Sequence, residues 1–570
     1  MSQHELSKGH PRGLYVLFFT EMWERFGYYL MLGIFSLYML DSHQNGGMGF
    51  DAQKKSDIYG TYLGLVYLTP FIGGLLADRI LGYRKSIIIG ALLMASGYIG
   101  LALPGETAFY ISLLLIIVGN GFFKPNISTL VGNLYNKPEH QHKKDAGYNI
   151  FYMGINIGAF VCNFVAAYMR INYGWGYAFA AAGVGMIIGL IWFLKGMKHV
   201  KDVDIVKPTT KEDLPLSKIF SAVLVPVFIF GILGWIIPGN IFGSDGNDAF
   251  LIGSLPVIFY YISLWYRASV QDKRPLAALL TVMGCVVVFW AIFHQNGDAL
   301  TVWAEEYTDR KMSPAIAGVA DKVDLAQTVN YHESVGYNEE QFNTYMAGLA
   351  KQKDSLTAAG NATAANEISN TITIRDKSRS YFSNLPTEKR PESGQDLKLV
   401  STELFQSINP FWVIVLTPVI VGIFGFMRRR GKEPSTPAKI ALGLLITALS
   451  ALVMVLAVKS INTSADKASS LWLWASYGVI TIGELCLSPM GLSLVSKLSP
   501  PRLTSLMMGG WFLSVSIGNK LSGMLSGMWE GYDDKSQFFL ANFFIVIIPA
   551  IALFLLLRWL NRVMKEKGVS

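Results

Sequence analysis

The sequence predicts an all-α polytopic membrane protein of fourteen spanning helices, arranged as two six-helix bundles with a two-helix hairpin inserted between them. Three observations carry that expectation. The 570 residues are 52% hydrophobic and 15% charged, with mean hydropathy +0.37, where soluble globular chains run near 25% charged. The apolar residues fall in blocks of about twenty, the length that crosses a bilayer as helix. Finally, Lys and Arg crowd into alternate connections, as a chain that threads back and forth requires.

The first run, Leu14 to Leu40, is too long for a signal peptide's apolar stretch and is expected to stay as helix 1. After a polar turn, Asp41 to Asp57, runs follow at about Ile58 to Ile80, Ser86 to Leu103, Ala108 to Leu134, Ala146 to Met169 and Gly176 to Leu194. A lysine-rich linker, Lys195 to Lys218, precedes two runs at about Ile219 to Pro238 and Ala249 to Trp265. Another run, Pro275 to Gly297, leads into the long polar stretch Asp298 to Glu403. Five more close the chain, at about Leu404 to Met427, Lys439 to Val458, Leu471 to Leu498, Leu503 to Met528 and Phe538 to Leu557.

The expected units are 1–197 as the first bundle, 198–270 as linker and hairpin, 271–297 with 404–570 as the second bundle, and 298–403 as an insertion outside the membrane. Within the insertion, Asn338 to Leu356 reads as helix and Pro386 to Ser393 as loop. With the N-terminus in the cytoplasm, Arg79, Arg84, Lys85, Lys143, Lys144, the linker lysines and Arg428 to Arg430 all lie inside, as the positive-inside rule asks. Both termini are then cytoplasmic, in a plasma (inner) membrane. The net charge of +8 sets topology and calls for no nucleic-acid partner. Cys162, Cys285 and Cys486 are scattered through apolar runs and form neither a disulfide framework nor a metal cluster.

Function is expected from charges that sit where charges are costly. Glu21, Glu24 and Arg25 lie inside helix 1, and with Tyr28 and Tyr29 they share one helical face. An ionisable group at bilayer depth costs about 2.5 kcal/mol or more, so that face is expected to line a protein interior or a watery cavity. One carboxylate neutralises Arg25, which leaves a spare. Lys124 precedes Pro125, and Glu484 stands four residues before Ser488-Pro489; broken helix at this depth is tolerated only against protein or a cavity. The first half thus offers cations and the second an anion, a field suited to a zwitterion. The competing reading pairs Glu21 with Lys124 and Glu484 with Lys520 and yields a rigid bundle. An enzyme would need a nucleophile with its base, or a metal cluster, and no such spacing occurs.

Several motifs resemble known families. Gly73-Gly74 through Ala77-Asp78-Arg79 to Arg84-Lys85 is similar to the signature between helices 2 and 3 of the major facilitator superfamily, in which Asp78 and Arg79 would gate the inner side. Glu21-x-x-Glu24-Arg25-Phe26, Phe151-Tyr152-Met153-Gly154-Ile155-Asn156, Phe123-Lys124-Pro125-Asn126, Glu484-x-x-x-Ser488-Pro489 and Met508-Gly509-Gly510-Trp511 together resemble the proton-dependent oligopeptide transporter (POT) family.

That resemblance implies a proton-coupled symporter of di- and tripeptides, driven by a proton gradient, with no cofactor and working as a monomer. Arg25 and Lys124 would hold the peptide carboxylate, Glu484 the amino terminus, and Asn156 and Asn409 the peptide backbone. Tyr29, Tyr67 and Trp511 would shape the side-chain pockets, and Glu21 or Glu24 would carry the proton. An alternative cargo on the same fold is nitrate or another small anion, which Glu484 would repel. Two positions depart from the family: Leu32, where many members place an arginine, and His294, where the family has an acid. His294 reads either as a satisfied structural histidine or as the group that titrates in place of that acid, with Asp298 as its partner or as the displaced acid.

Overall fold

In the computed structural model, residues 9–135, 140, 144–204, 220–322, 325–359, 361–500 and 503–567 are described. Each of the fourteen apolar runs is helical over its described residues. The first half contains α1 (Arg12–Leu40), α2 (Ala52–Leu76), α3 (Tyr83–Gly100), α4 (Glu106–Leu134), α5 (Lys144–Tyr173) and α6 (Trp175–Gly196). The hairpin is α7 (Val225–Ile236) and α8 (Asp245–Tyr266), followed by α9 (Val270–Phe293). The polar stretch adds α10 (Ala299–Glu306), α11 (Pro314–Lys322), α12 (Glu339–Ala358) and α13 (Ala362–Phe382). The chain ends with α14 (Ile408–Arg429), α15 (Thr436–Lys459), α16 (Leu471–Leu498), α17 (Thr504–Gly527) and α18 (Lys535–Glu566). Ten of the described helices are long and apolar enough to cross a membrane.

Local chemistry sets the ends. Asp51 accepts the Lys54 amide at the start of α2, so α2 begins a turn and a half before the apolar run, because a cap satisfies its first amides. At its far end α2 widens into a π turn over Ala77–Leu81, closed by Gly82 at φ 77°, a conformation glycine adopts without strain. Asn338 and Gln341 form a capping box that opens α12, where the polar pattern predicts a helix.

One buried core draws only on residues 14–203 and a second on residues 261–564. The halves meet closely where α2 packs on α17: a Cβ at Gly60 would lie 2.9 Å from the Gly523 Cα, so two glycines let the backbones touch. Strand β1 (Thr308–Asp309) runs parallel to β4 (Ala468–Ser469), and β2 (Ala326–Asn330) pairs antiparallel with β3 (Asp396–Val400), Ala326 opposite Val400. The insertion does not begin as a free loop. A 3-10 turn, His294–Gly297, carries α9 into α10, whose residues Ala299 to Glu305 are buried, because Trp303 and Ala304 join an apolar cluster with Phe405, Met454 and Trp529.

Candidate functional site: charges between two helix bundles

The face of α1 predicted to carry charge is buried. Arg25 is 3% exposed and grips Glu24 with two hydrogen bonds, Nε to Oε2 at 2.5 Å and a second nitrogen to Oε1 at 2.9 Å. Glu21, one turn earlier, touches the same Nε at 3.2 Å through Oε1, while its Oε2 is buried without a hydrogen-bond partner. The two acids are therefore unequal. Glu24 is locked by a planar fork, and Glu21 is the carboxylate held by one contact. The Arg25 guanidinium also lies 5.1 Å from the Tyr28 ring centroid.

Across from α1, Lys124 of α4 places its ammonium nitrogen 3.9 Å from the centroid of the Tyr67 ring on α2. Among the described residues it forms no ion pair. The pairings of Glu21 with Lys124 and of Glu484 with Lys520 do not occur. Lys520, fully buried, binds Asp57 of α2 and the Thr61 hydroxyl across the gap between the halves. Glu484 on α16 has no cation partner among the described residues; it accepts a hydrogen bond from Asn409 Nδ2 at 3.2 Å, and the same amide donates to Thr481 Oγ1 at 2.8 Å. An unpaired cation in one half and an unpaired anion in the other thus remain, at a depth where each alone is expensive.

Tyr29 and Tyr152, both in the first half, lie within Coulombic range of Tyr67 and of Glu484 in the second. Tyr152 keeps 44% of its surface exposed even so, and Lys124, Tyr29, Tyr67, Asn409 and Glu484 are all partly exposed. Asn156 is buried and donates to the Tyr152 carbonyl at 3.0 Å. Trp511 is 3% exposed, and the outer edge of its ring fills the space that a Cβ on Gly491 would need, between α16 and α17. The ring of His294 stands 6.0 Å from Tyr67 and 5.4 Å from Trp290, and its Nδ1 faces the Trp290 carbonyl at 3.4 Å. Asp298 pairs with Lys55 instead of with His294. A separate apolar groove of about 530 Å³, lined by Met22, Trp23, Gly158, Val184 and Gly185, occupies the opposite face of α1.

At one end of the bundle the halves are tied together. Arg170 forks onto Glu403 and donates to the Ser401 hydroxyl at 2.7 Å; Asn163 donates to the Ser407 hydroxyl at 3.1 Å; Lys55 meets Asp298, and the Ser36 hydroxyl donates to the Gly297 carbonyl at 2.7 Å. At the other end Tyr148, Tyr152 and Leu492 are exposed. Arg84 there binds Asp204 at 2.6 Å, and Glu433, between Arg428 and Lys439, is held down to about 2 by their hydrogen bonds, that of Arg428 foremost. Arg79 lies in the π turn that ends α2; the side chain of Asp78 and the whole of Lys143 fall outside the described set.

A family model described as the POT family matches residues 84–330 and 396–540. The chain belongs to the POT family. It is a membrane transporter, and not an enzyme. The POT chain is 28% identical over 556 residues to a di-/tripeptide transporter of Lactococcus lactis subsp. lactis (strain IL1403), covering 96% of this chain and 95% of that one. A solved peptide transporter POT in complex with alafosfalin superimposes with TM-score 0.70 at 28% identity, over 98% of this chain and 96% of that one. A POT family transporter in complex with a thioalcohol conjugated peptide matches with TM-score 0.73 at 25% identity, over 97% of each chain. These likenesses support the major facilitator architecture expected from the sequence.

The sequence did not point to Asp57 as the partner of Lys520, or to Asn409 as the group that orients Glu484. The first pair is separated by 463 residues, and no local periodicity links them.

Proposed function

We propose that this POT chain is a proton-coupled symporter that imports di- and tripeptides by alternating access. The observation that carries the reading is that Lys124 on one half and Glu484 on the other each lack an ion-pair partner among the described residues. A peptide zwitterion satisfies both at once, its carboxylate at Lys124 and Arg25 and its amino terminus at Glu484. Asn409 holds the Glu484 carboxylate, and Asn156 serves the peptide backbone. An anion alone, such as nitrate, would leave Glu484 uncompensated.

Proton coupling follows from competition for Arg25. While Glu21 is ionised it shares the guanidinium with Glu24; once protonated it loses its hold, and an arriving carboxylate takes the freed direction. Glu24 stays paired throughout. His294, beside Tyr67 and Lys124, is the second proton site. On a fourteen-span topology with both termini in the cytoplasm, in an inner-membrane monomer, the tied end lies outside and the end that carries Arg84 and Glu433 inside, with Asp78 and Arg79 at the inner gate. Residues 1–197 and 271–297 with 404–570 are the halves that rock.

Counterflow of a labelled dipeptide into proteoliposomes, with and without an inward proton gradient, tests this. Uptake in both formats, raised by the gradient, is expected. Gradient-independent uptake rejects symport, and absence of counterflow for every di- and tripeptide tried rejects the cargo.

A further inference from the structure

The family model skips residues 331–395, yet this stretch is built into the tied end of the transporter. From α13, Lys377 reaches Asp41, the residue that ends α1, at 3.6 Å; the two are 9% and 7% exposed. Asp41 is itself fixed in place by Trp175 Nε1 of α6 at 2.8 Å and by Asn45 Nδ2 at 3.0 Å. A few residues further on, the same segment fastens to the other half. The Tyr381 hydroxyl donates to Asp309 Oδ1 at 3.0 Å, beside the β1 and β4 pairing. Asn384 Nδ2 donates to the Thr463 carbonyl at 3.2 Å, Lys389 binds Asp466, and Lys467 lies 4.8 Å from the centroid of the Tyr381 ring. Residues 463–467 belong to the connection between α15 and α16.

We propose that residues 362–389 are a clamp across the outer end, anchored on the second half and latched to the first at Lys377 and Asp41, so that Lys377 is a positioning residue for the closed outer gate. Outward opening, on the alternating-access reading that this inference rests on, separates Asp41 from the 463–467 connection. One of the two attachments then has to let go. The contacts at that end are spread over two hydrogen bonds, the Lys389 ion pair and a cation over a ring. On the first half a buried ion pair is the principal tie, and it is the latch. Its energy is all-or-none, because parting the pair strands two desolvated charges until water enters. The clamp therefore sets how often the outer end opens without touching the peptide chamber.

Double spin labels at Thr107→Cys and Ser464→Cys, both exposed at the outer end of opposite halves, read the gate directly by pulsed dipolar spectroscopy. The full chain is used in nanodiscs, with Cys162, Cys285 and Cys486 replaced by alanine. Lys377→Met is expected to raise the long-distance population about tenfold, and Lys377→Arg to leave it near the parent value. The pair Asn384→Ala and Lys389→Ala, which touches only the second half, is expected to shift it in the same direction. A Lys377→Met distribution that superimposes on the parent overturns the clamp. Peptide counterflow on the same chains separates the two readings: a shifted distance distribution with no counterflow in the parent keeps the clamp and rejects the cargo.

Discussion

The ammonium of Lys124 sits 3.9 Å from the centre of the Tyr67 ring and forms no ion pair among the described residues. The ring face is the negative pole of the aromatic quadrupole, and it offsets part of the cost of a desolvated cation without occupying the hydrogens an incoming carboxylate needs. Tyr67→Phe should therefore leave dipeptide KM nearly unchanged. Tyr67→Leu should raise it about tenfold, the equivalent of roughly 1 to 2 kcal/mol of cation–π attraction in a dry site. Counterflow KM for the two variants is the check, and equal values would remove the ring from carboxylate binding.

Asn409 donates one amide hydrogen to Glu484 and the other to Thr481. Asn409→Ala should raise KM for a free dipeptide about tenfold or more, as a lost hydrogen bond to a charged group of about 1.5 to 3 kcal/mol implies. The same change should have little effect on an N-acetylated dipeptide, which brings no amino group to Glu484. A parallel loss for both cargoes would assign Asn409 to the peptide backbone instead.

Glu21 holds Arg25 through one oxygen and leaves the other without a partner, whereas Glu24 is gripped by two bonds. Glu21→Gln is expected to abolish gradient-driven uptake while sparing exchange, and Arg25→Ala to damage both. His294→Gln should flatten the pH profile of uptake; an unchanged profile would exclude His294 from coupling.

Removing either partner of the Lys520 and Asp57 pair should cost stability unequally. Lys520 is fully buried, while the Asp57 side chain is 23% exposed and also accepts from the Ser244 hydroxyl at 2.9 Å. Asp57→Asn strands a buried ammonium and should cost about 3 to 5 kcal/mol, the usual loss for an orphaned buried ion. Lys520→Met leaves a carboxylate that water can reach and should cost less. Thermal unfolding in detergent measures both, and a larger loss for Lys520→Met would contradict the burial pattern.

The clamp should respond to outside pH. Burial first, and the neighbouring Asp41 second, push Asp376 up to about 7, while Lys377 pulls it back and Glu305 pushes with Asp41. Asp41, although burial raises it, is held below the ordinary carboxylate range chiefly by Lys377. Lys377 in turn faces Arg170 as well as the acids. An acid whose pKa is raised in the clamped form binds a proton there that the released form gives up, so the clamp is firmest below the ordinary Asp pKa and weakens as pH rises toward 7. The outer-end distance should lengthen between pH 5 and 8, and Asp376→Asn should remove that dependence.

Much of this was legible in the sequence for a physical reason: an apolar block of twenty residues has few alternatives to a spanning helix, and a charge inside one has to face protein or water. Glu21, Arg25, Lys124 and Glu484 announce themselves by their cost. What stayed hidden was who meets whom. The ties of Lys520 to Asp57, Lys55 to Asp298 and Lys377 to Asp41 join segments hundreds of residues apart, and nothing local in either segment encodes the partner. The insertion shows the same limit. Its helices are legible from caps and polarity, but its grip on both halves depends on how the bundles pack beneath it.

Lys124 and Glu484 belong to different halves, each without an ion-pair partner among the described residues, so a zwitterion held by both would act as a strut between the halves. It would add to the seam that Lys520 with Asp57, and Gly60 against Gly523, already make between α2 and α17.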